Sequence, residues 1–202
     1  MLVLKIIVLV LSYLLGSLSP AILLCRSKYG VDIRTLGSGN AGTTNVLRNY
    51  GKKMAAMTLL LDALKGVPCY FAGFLLFDSY GMGLACGLAA IIGHIFPVYY
   101  NFKGGKGVAT TLGVAIAAAP LAALITVVFV ILVLAVCKRI SLGSLLGVLF
   151  FTGAAALLDY DTVLVYWGIA LTVLIWAKHR ENIKRLLQGK EPKFSLKNHG
   201  GK

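Results

Sequence analysis

The sequence predicts an all-α polytopic membrane protein with seven transmembrane helices, the amino terminus outside and the carboxyl terminus in the cytoplasm. Hydrophobic residues make up 58% of its 202 residues and charged residues only 13%, whereas soluble domains carry about 25% charged residues. The net charge is nevertheless +13, from 20 Lys and Arg against 7 Asp and Glu. This composition excludes a disordered protein and disfavours a soluble one. The basic residues are concentrated in a few places, which predicts the orientation.

The long apolar runs set the number of spans. A helix rises about 1.5 Å per residue and a bilayer core is about 30 Å thick, so each run but one has the length of a single crossing. The runs are Ile6–Leu24, Met54–Phe77, Gly83–Tyr99, Val108–Val136, Leu142–Leu158 and Thr162–Ala177.

The exception, Val108–Val136, would span roughly 43 Å as one helix, and we expect it to divide near Ala119-Pro120. Basic loops stay cytoplasmic, and division places every basic cluster on one side. A re-entrant hairpin in place of the short fourth helix would satisfy the same parity. The clusters are Arg26–Lys53, Lys103–Lys106, Lys138-Arg139 and the tail from Lys178.

We predict a single integral-membrane domain over residues 1–202. Residues 190–202 are polar and basic, and we expect them to form a loose cytoplasmic tail that contacts anionic lipid.

The segment Gly37–Arg48 reads GSGNAGTTNVLR and should lie at the cytoplasmic face. Its glycines permit positive φ, its side chains offer hydroxyls and amides, and Arg48 offers a fork suited to phosphate. Backbone N–H groups of such a loop, and of a helix beginning near Thr44, can bind an anion. The alternative is a glycine-rich turn with a capping Ser or Thr, which would not need so many polar side chains.

A second glycine-rich segment, Lys103–Thr111, reads KGGKGVATT. It does not match a nucleotide-binding P-loop, because Gly107 and not Ser or Thr follows Lys106. Glycine N–H groups, two lysines and the start of the fourth helix still favour an anion. A simple positive anchor loop would explain the lysines but not the glycines.

Two further cytoplasmic segments carry candidate residues. HRENIKRL, from His179 to Leu186, could reach the cytoplasmic mouth or lie on the interface as a basic amphipathic helix. In Lys138–Ser144, Ser141 and Ser144 could donate to an anion, although a helix cap at Ser141 is the simpler interpretation.

Charged residues also occur inside the spans. Asp62 and Lys65 are three residues apart on one helix face and can pair; we favour a structural role for the pair. His94 could orient the second glycine-rich segment or be an ordinary interfacial histidine.

Together these segments predict a site for an anion, with two phosphates beside an apolar chain. Paired carboxylates are missing from the predicted cytoplasmic side, so neither a metal at a carboxylate cluster nor any other cofactor is expected. Nucleic-acid binding is not expected either, because membrane orientation accounts for the positive charge. The competing function is an organic-phosphate transporter, which would normally show internal repeats or broken helices in both halves.

At these segments the sequence resembles the bacterial membrane glycerol-3-phosphate acyltransferases that use acyl phosphate, the PlsY family. The likeness covers nearly the whole chain. It includes GSLSPAILLCR from Gly16, GSGNAGTTNVLR, LDALKG from Leu61, GHIFPVYYNFKGGKGVAT from Gly93, and HRENIKRL. Acyltransferases with soluble donors carry a His followed five residues later by Asp. Here Tyr99 follows His94 and Lys184 follows His179 at that distance.

The resemblance implies transfer of a fatty acyl group from acyl phosphate to glycerol-3-phosphate, giving lysophosphatidic acid and phosphate. This would be the first acylation of phospholipid synthesis, at the inner membrane of a bacterium, with the site facing the cytoplasm. The implied partners are the two substrates and membrane lipid.

The resemblance also implies residue roles. Lys106, Arg48, His179 and Asn182 would be catalytic, with His179 and Asn182 orienting the acceptor hydroxyl or polarising the acyl carbonyl. Phosphate would be bound by Ser38, Gly39, Asn40, Thr43, Asn45, Arg48, Gly104, Gly105, Lys106 and Gly107, with Ser141 and Ser144 at the rim. Because an acyl phosphate has a good leaving group, no enzyme nucleophile is required. The general base would be His179 or a phosphate oxygen of the donor; we favour the second.

Overall fold

The computed structural model describes residues 1–194, and every regular element in that range is helical. Two single-turn 3₁₀ helices accompany the ten α-helices. The α-helices are α1 Leu2–Ser17, α2 Pro20–Tyr29, α3 Thr43–Leu64, α4 Gly66–Phe77, α5 Tyr80–Ile95, α6 Val108–Ala118, α7 Pro120–Cys137, α8 Ile140–Leu157, α9 Thr162–Lys178 and α10 Arg180–Leu187.

The all-helical membrane fold is confirmed, while the number of spans and their orientation stay predictions. Over residues 1–194, five helical segments are long and apolar enough to cross a membrane. There are six if α9 and α10, bent by 68°, count as one broken span. Helix α6 is apolar but has only 11 residues. It is the short fourth helix that the charge pattern requires, so the count of seven depends on it.

The division of the long apolar run is confirmed. Helix α6 ends at Ala118 and α7 begins at Pro120. Proline has no N–H to donate and its φ suits a first helical position, which explains why the break falls there.

The first predicted span is interrupted, which the sequence analysis did not predict. Helix α1 ends at Ser17 and α2 starts at Pro20. The Ser19 hydroxyl accepts a hydrogen bond from the Ile22 N–H at 3.5 Å, as an N-cap.

The described residues form two compact units, 1–118 and 119–194. In the first unit, α5 packs closely on its neighbours through glycines. A side chain at Gly16 would overlap the backbone of Ala90, and one at Gly73 would overlap the backbone of Met82. Close approach of backbones through small residues is typical of helix packing in membranes. It packs α5, whose end lies next to the second glycine-rich segment, closely against α1 and α4.

A separate buried cluster supports the first glycine-rich segment. It joins α2 and α3 through the chain between them and consists of Ala21, Ile22, Cys25, Ile33, Ala41, Val46, Met54 and Ala55. Ala41 lies within the loop itself, so the loop is anchored to a core.

The second unit contains α7 to α10. A side chain at Gly168 on α9 would overlap Thr152 on α8. The Trp176 indole on α9 donates to the Leu145 carbonyl on α8 at 3.2 Å. The prediction of one domain over the whole chain stays a prediction.

Candidate functional site

The first loop, residues 37–42, is built around the side chain of Asn45. That amide is 1% exposed. Its nitrogen lies within hydrogen-bond distance of the carbonyls of Ile33, Leu36 and Asn40, at 2.9 to 3.1 Å, and its oxygen accepts from the Ser38 N–H at 3.0 Å. The Asn45 side chain therefore holds the loop backbone in place through hydrogen bonds. We assign it to positioning the loop rather than to direct phosphate contact.

The rest of the first loop is turned outward. Gly37 and Gly39 have φ of 55° and 70°, which side chains rarely adopt. Ser38 and Gly39 are exposed, Asn40 is half-buried, and Arg48 is exposed on the second turn of α3. These residues are available to a phosphate at the loop surface.

Helix α3 starts at Thr43, close to the expected position. Its N-cap, Gly42, has no side-chain hydrogen bond to the first turn. The Thr43 hydroxyl oxygen is buried and has no hydrogen-bond partner among the described residues. Uncapped N–H groups at a helix start attract anions, so the loop and the helix start offer donors in the same place.

Arg34, which the sequence analysis did not single out, ties the segment just before the first loop to the second loop. Its guanidinium donates to both carboxylate oxygens of Asp32, at 2.8 to 3.2 Å, and to the carbonyls of Tyr100 at 2.8 Å and Lys103 at 3.2 Å. The hydrogen bonds from Arg34 hold the pKa of Asp32 far below its ordinary value. In turn, the hydrogen bonds that Arg34 donates to Asp32 raise the pKa of Arg34. An arginine near a glycine-rich loop was visible in the sequence, but its partners 66 and 69 residues away were not.

The second loop, residues 103–107, lies against the end of α5. The Gly105 N–H donates to the His94 carbonyl at 3.1 Å, and the Gly104 N–H donates to the Ile95 carbonyl at 3.3 Å. The expectation that these two N–H groups are exposed for an anion is wrong, because both bond the chain's own backbone. Gly104 and Gly105 instead allow close packing, since a side chain at either position would overlap His94.

Lys106 and Gly107 lead into α6. Lys106 is half-buried and Lys103 is exposed. Gly107 has φ of 90°, and its carbonyl accepts from the Thr111 N–H at 2.8 Å. Helix α6 therefore begins directly after the loop, as expected, and Lys106 is held at its start.

The two loops meet. A Cβ on Gly105 would lie 2.9 Å from the carbonyl oxygen of Ala41 in the first loop. The first unit thus brings together the phosphate-binding candidates of both glycine-rich segments.

In the second unit, Glu191 joins two of the candidate segments, Lys138–Ser144 and His179–Leu186. Its carboxylate accepts hydrogen bonds from Ser141, Asn182 and Arg185, each at 2.7 Å, and the residue is 5% exposed. Burial alone would raise the pKa of Glu191, but these three hydrogen bonds hold it below its ordinary value. Sequence reasoning missed Glu191; its one signal was an acid within a basic segment.

These contacts change the expectations for the serines and for the tail. Ser141 is the second residue of α8 and donates to Glu191, so the N-cap interpretation is wrong and its hydroxyl proton is not directed at a phosphate. Ser144 donates to the Ile140 carbonyl at 3.0 Å. Within the predicted loose tail, Glu191 is buried and bonded, while residues 195–202 lie outside the described residues.

His179 lies at the bend between α9 and α10 and is 3% exposed. Its Nδ1 is 2.8 Å from the Ile175 carbonyl. A carbonyl partner requires the proton on Nδ1, so in the neutral ring the lone pair is on Nε2. Asn182, one turn further on, is oriented by its bond to Glu191.

Arg34→Lys tests whether the tie between the loops matters. Lysine cannot keep both the fork to Asp32 and the bonds to two carbonyls, so we expect kcat/KM to fall about tenfold, the equivalent of about 1.4 kcal/mol. Arg26→Lys is the matched control, because Arg26 makes a single bond to Asp32, at 2.7 Å, and is half exposed. Steady-state assays of both variants, for the acyl transfer that the resemblance implies, measure the two losses. Equal losses would contradict a special role for Arg34.

Known proteins match this sequence over almost its whole length. A sequence model of the family described as "Glycerol-3-phosphate acyltransferase" matches residues 6–189. The chain belongs to the glycerol-3-phosphate acyltransferase family. The relative from Finegoldia magna is 44% identical over 188 residues, covering 92% of this chain and 93% of the relative. That from Halalkalibacterium halodurans is 45% identical over 192 residues, with 92% and 93% coverage.

The solved structures show the same fold. The chain is similar to PlsY (YgiH), an integral membrane glycerol 3-phosphate acyltransferase, in its glycerol 3-phosphate form. The TM-score is 0.89 and the identity 38%, over 95% of this chain and 96% of that one. The lysophosphatidic acid form of PlsY matches with a TM-score of 0.84. This member of the family is therefore an integral membrane acyltransferase.

Proposed function

We propose that the protein transfers a fatty acyl group from acyl phosphate to glycerol-3-phosphate, releasing lysophosphatidic acid and phosphate. The observation that carries this proposal is the contact between two glycine-rich loops, one containing Lys106 and the other leading to Arg48. Relatives named for glycerol-3-phosphate, and a solved relative in glycerol 3-phosphate and lysophosphatidic acid forms, support the acceptor and the product.

Acyl phosphate suits this site as donor. Both substrates would then carry a phosphate, and the two anions repel each other unless cations and N–H groups surround them. Lys106, Arg48 and the uncapped start of α3 supply that positive environment. A helical scaffold within the membrane lets the acyl chain remain in an apolar phase while its phosphate meets the loops.

The reaction needs no covalent enzyme intermediate. The acceptor hydroxyl oxygen forms a bond to the acyl carbon, the bond from that carbon to the phosphate oxygen breaks, and the hydroxyl proton passes to the departing phosphate. The protein has to hold the two substrates in line and stabilise charge on the carbonyl oxygen. We assign Ser38, Gly39, Asn40, Thr43, Arg48 and Lys106 to phosphate binding, with Gly104, Gly105 and Gly107 allowing the second loop its shape.

His179 and Asn182 are the proposed contacts with the acceptor hydroxyl or the acyl carbonyl. The orientation of His179 by the Ile175 carbonyl and of Asn182 by Glu191 supports this assignment. Ser144 and Ser141 are the weaker candidates, since their hydroxyls donate within the protein. The basic clusters favour a site on the cytoplasmic face of the bacterial inner membrane.

The donor is tested by phosphate release from purified protein in lipid, with palmitoyl phosphate and glycerol-3-phosphate, and with palmitoyl-CoA as the control donor. We expect release that requires glycerol-3-phosphate, and no transfer from the CoA ester. Transfer from the CoA ester alone would overturn the donor assignment. No transfer from either donor by folded protein would favour organic-phosphate transport, to be measured next as flux into liposomes.

His179→Gln tests the proton acceptor. If the donor's phosphate takes the proton, glutamine, which can still hydrogen-bond, should keep between about 1% and 10% of wild-type kcat, since an enzyme base typically contributes 10²–10⁴-fold. The pH profile of kcat/KM should keep its shape. A loss beyond about 10²-fold with unchanged KM values would instead make His179 the base.

A further inference from the structure

A buried cluster of three side chains lies directly beneath the second loop. The Lys65 Nζ is 2.9 Å from the Asp62 Oδ1, and the His94 Nδ1 is 3.1 Å from the same oxygen. The Lys65 Nζ and the His94 Nδ1 are 2.9 Å apart. All three residues are at most 8% exposed. The predicted Asp62–Lys65 pairing is thus confirmed, and His94 joins it.

The cluster holds together four parts of the first unit. Asp62 is near the end of α3, Lys65 is at the junction of α3 and α4, and His94 is near the end of α5. Lys65 also donates to the Leu18 carbonyl at 2.7 Å. That carbonyl lies at the break between α1 and α2, where the helical hydrogen bonding is interrupted. Buried charges in a membrane protein are costly and usually mark a function.

His94 contacts the second loop of the candidate site directly. Its carbonyl accepts from the Gly105 N–H at 3.1 Å, and a Cβ on Gly105 would overlap its Nε2. The imidazole of His94 therefore packs directly against Gly105. Asp62 and Lys65 hold the other ring nitrogen, so the ring cannot turn without breaking their contacts.

We propose that His94 is a positioning residue for acyl transfer. Its ring, oriented by Asp62 and Lys65, sets the position of the second loop and so of Lys106 one residue further on. This inference rests on the proposed function, because it takes Lys106 to be the residue that meets substrate phosphate. His94 does not itself touch substrate.

The test uses the different ways in which Gly104 and Gly105 meet His94. A side chain at Gly105 would overlap the ring, whereas one at Gly104 would overlap the backbone carbonyl of His94 and the ring of Pro97. His94→Asn keeps an amide near the position of Nδ1 for Asp62 and withdraws the part of the ring beneath Gly105. Shortening the side chain makes room for Gly105→Ala and none for Gly104→Ala.

The measurement is kcat and KM, for both substrates, of six proteins in lipid: wild type, His94→Asn, Gly105→Ala, Gly104→Ala and the two double variants. We expect His94→Asn to lower kcat/KM about tenfold, and Gly105→Ala to lower it about a hundredfold in the wild-type background. In the His94→Asn background Gly105→Ala should cost only about threefold. Some cost remains because the Ala41 carbonyl oxygen is still 2.9 Å from the added carbon. Gly104→Ala should cost the same in both backgrounds.

Equal costs of Gly105→Ala in both backgrounds would overturn the inference, and so would wild-type kinetics in His94→Asn. If His94→Asn does not fold, the same set of variants is made with His94→Gln. Glutamine reaches the position of Nε2, so Gly105→Ala should cost as much in that background as in wild type. A smaller cost there would contradict the proposal. Failure of the proposed function is recognised separately, because wild-type protein would then not use palmitoyl phosphate at all.

Discussion

Lys106→Ala is expected to reduce kcat/KM with acyl phosphate by about 10²–10³-fold, because it removes the positive charge at the start of α6 where we place a substrate phosphate. Half-burial of Lys106 strengthens its interaction with an anion relative to a fully solvated lysine. The loss should fall mainly on kcat if the charge stabilises the departing phosphate, and on KM if it only binds the ground state.

Lys103→Ala is the matched control for this loss. Lys103 belongs to the same loop and carries the same charge, but its side chain is exposed, and the loop contact that it makes is through its carbonyl to Arg34. We expect less than a threefold change, because exposed charges act weakly. Similar losses in both variants would show that the net charge of the loop matters and not the place of Lys106.

Asn45→Asp is expected to abolish activity by collapsing the first loop. A carboxylate would face the three carbonyls that now lie within hydrogen-bond distance of the amide nitrogen. It could donate to none of them. Each of these carbonyls keeps a backbone N–H donor, so the cost comes from burying a charged carboxylate against carbonyl oxygens. An unsatisfied neutral group costs about 1–3 kcal/mol and a charged one more, so we expect a destabilisation of at least about 3 kcal/mol. Thermal inactivation in detergent and acyl transfer in lipid measure the two effects.

Asn49→Ala provides the comparison. Asn49 donates to the Asn45 carbonyl at 2.9 Å and to its side-chain oxygen at 3.2 Å, but it holds none of the loop carbonyls. Its loss should cost about 1 kcal/mol and leave most of the activity. If Asn45→Asp kept its stability and lost only phosphate affinity, Asn45 would be a ligand and not the centre of the loop.

Features governed by local chemistry were predictable from the sequence. Proline at position 120 divides the long apolar run, and the glycine-rich segments lead into helices at Thr43 and Val108. Asp62 and Lys65 pair because helical spacing places them on one face. Each of these depends on residues within a few positions of one another.

Features that depend on the direction of a side chain or on distant partners were not predictable. An asparagine in a glycine-rich loop can face a ligand or the loop's own carbonyls, and Asn45 does the second. Arg34 finds its carbonyl partners in the segment after α5, and Glu191 finds Ser141 fifty residues earlier. The N–H groups of Gly104 and Gly105 likewise donate to carbonyls at the end of α5, which the sequence pattern does not reveal.

Direct transfer between two phosphate-bearing substrates is tested most directly by isotope exchange. The protein in lipid is incubated with palmitoyl phosphate and radiolabelled inorganic phosphate, with and without glycerol-3-phosphate. A parallel sample measures lysophosphatidic acid formation. We predict no label in palmitoyl phosphate when the acceptor is absent, while the parallel sample forms product. Label entering palmitoyl phosphate without acceptor would reveal an acyl-enzyme intermediate and contradict direct transfer.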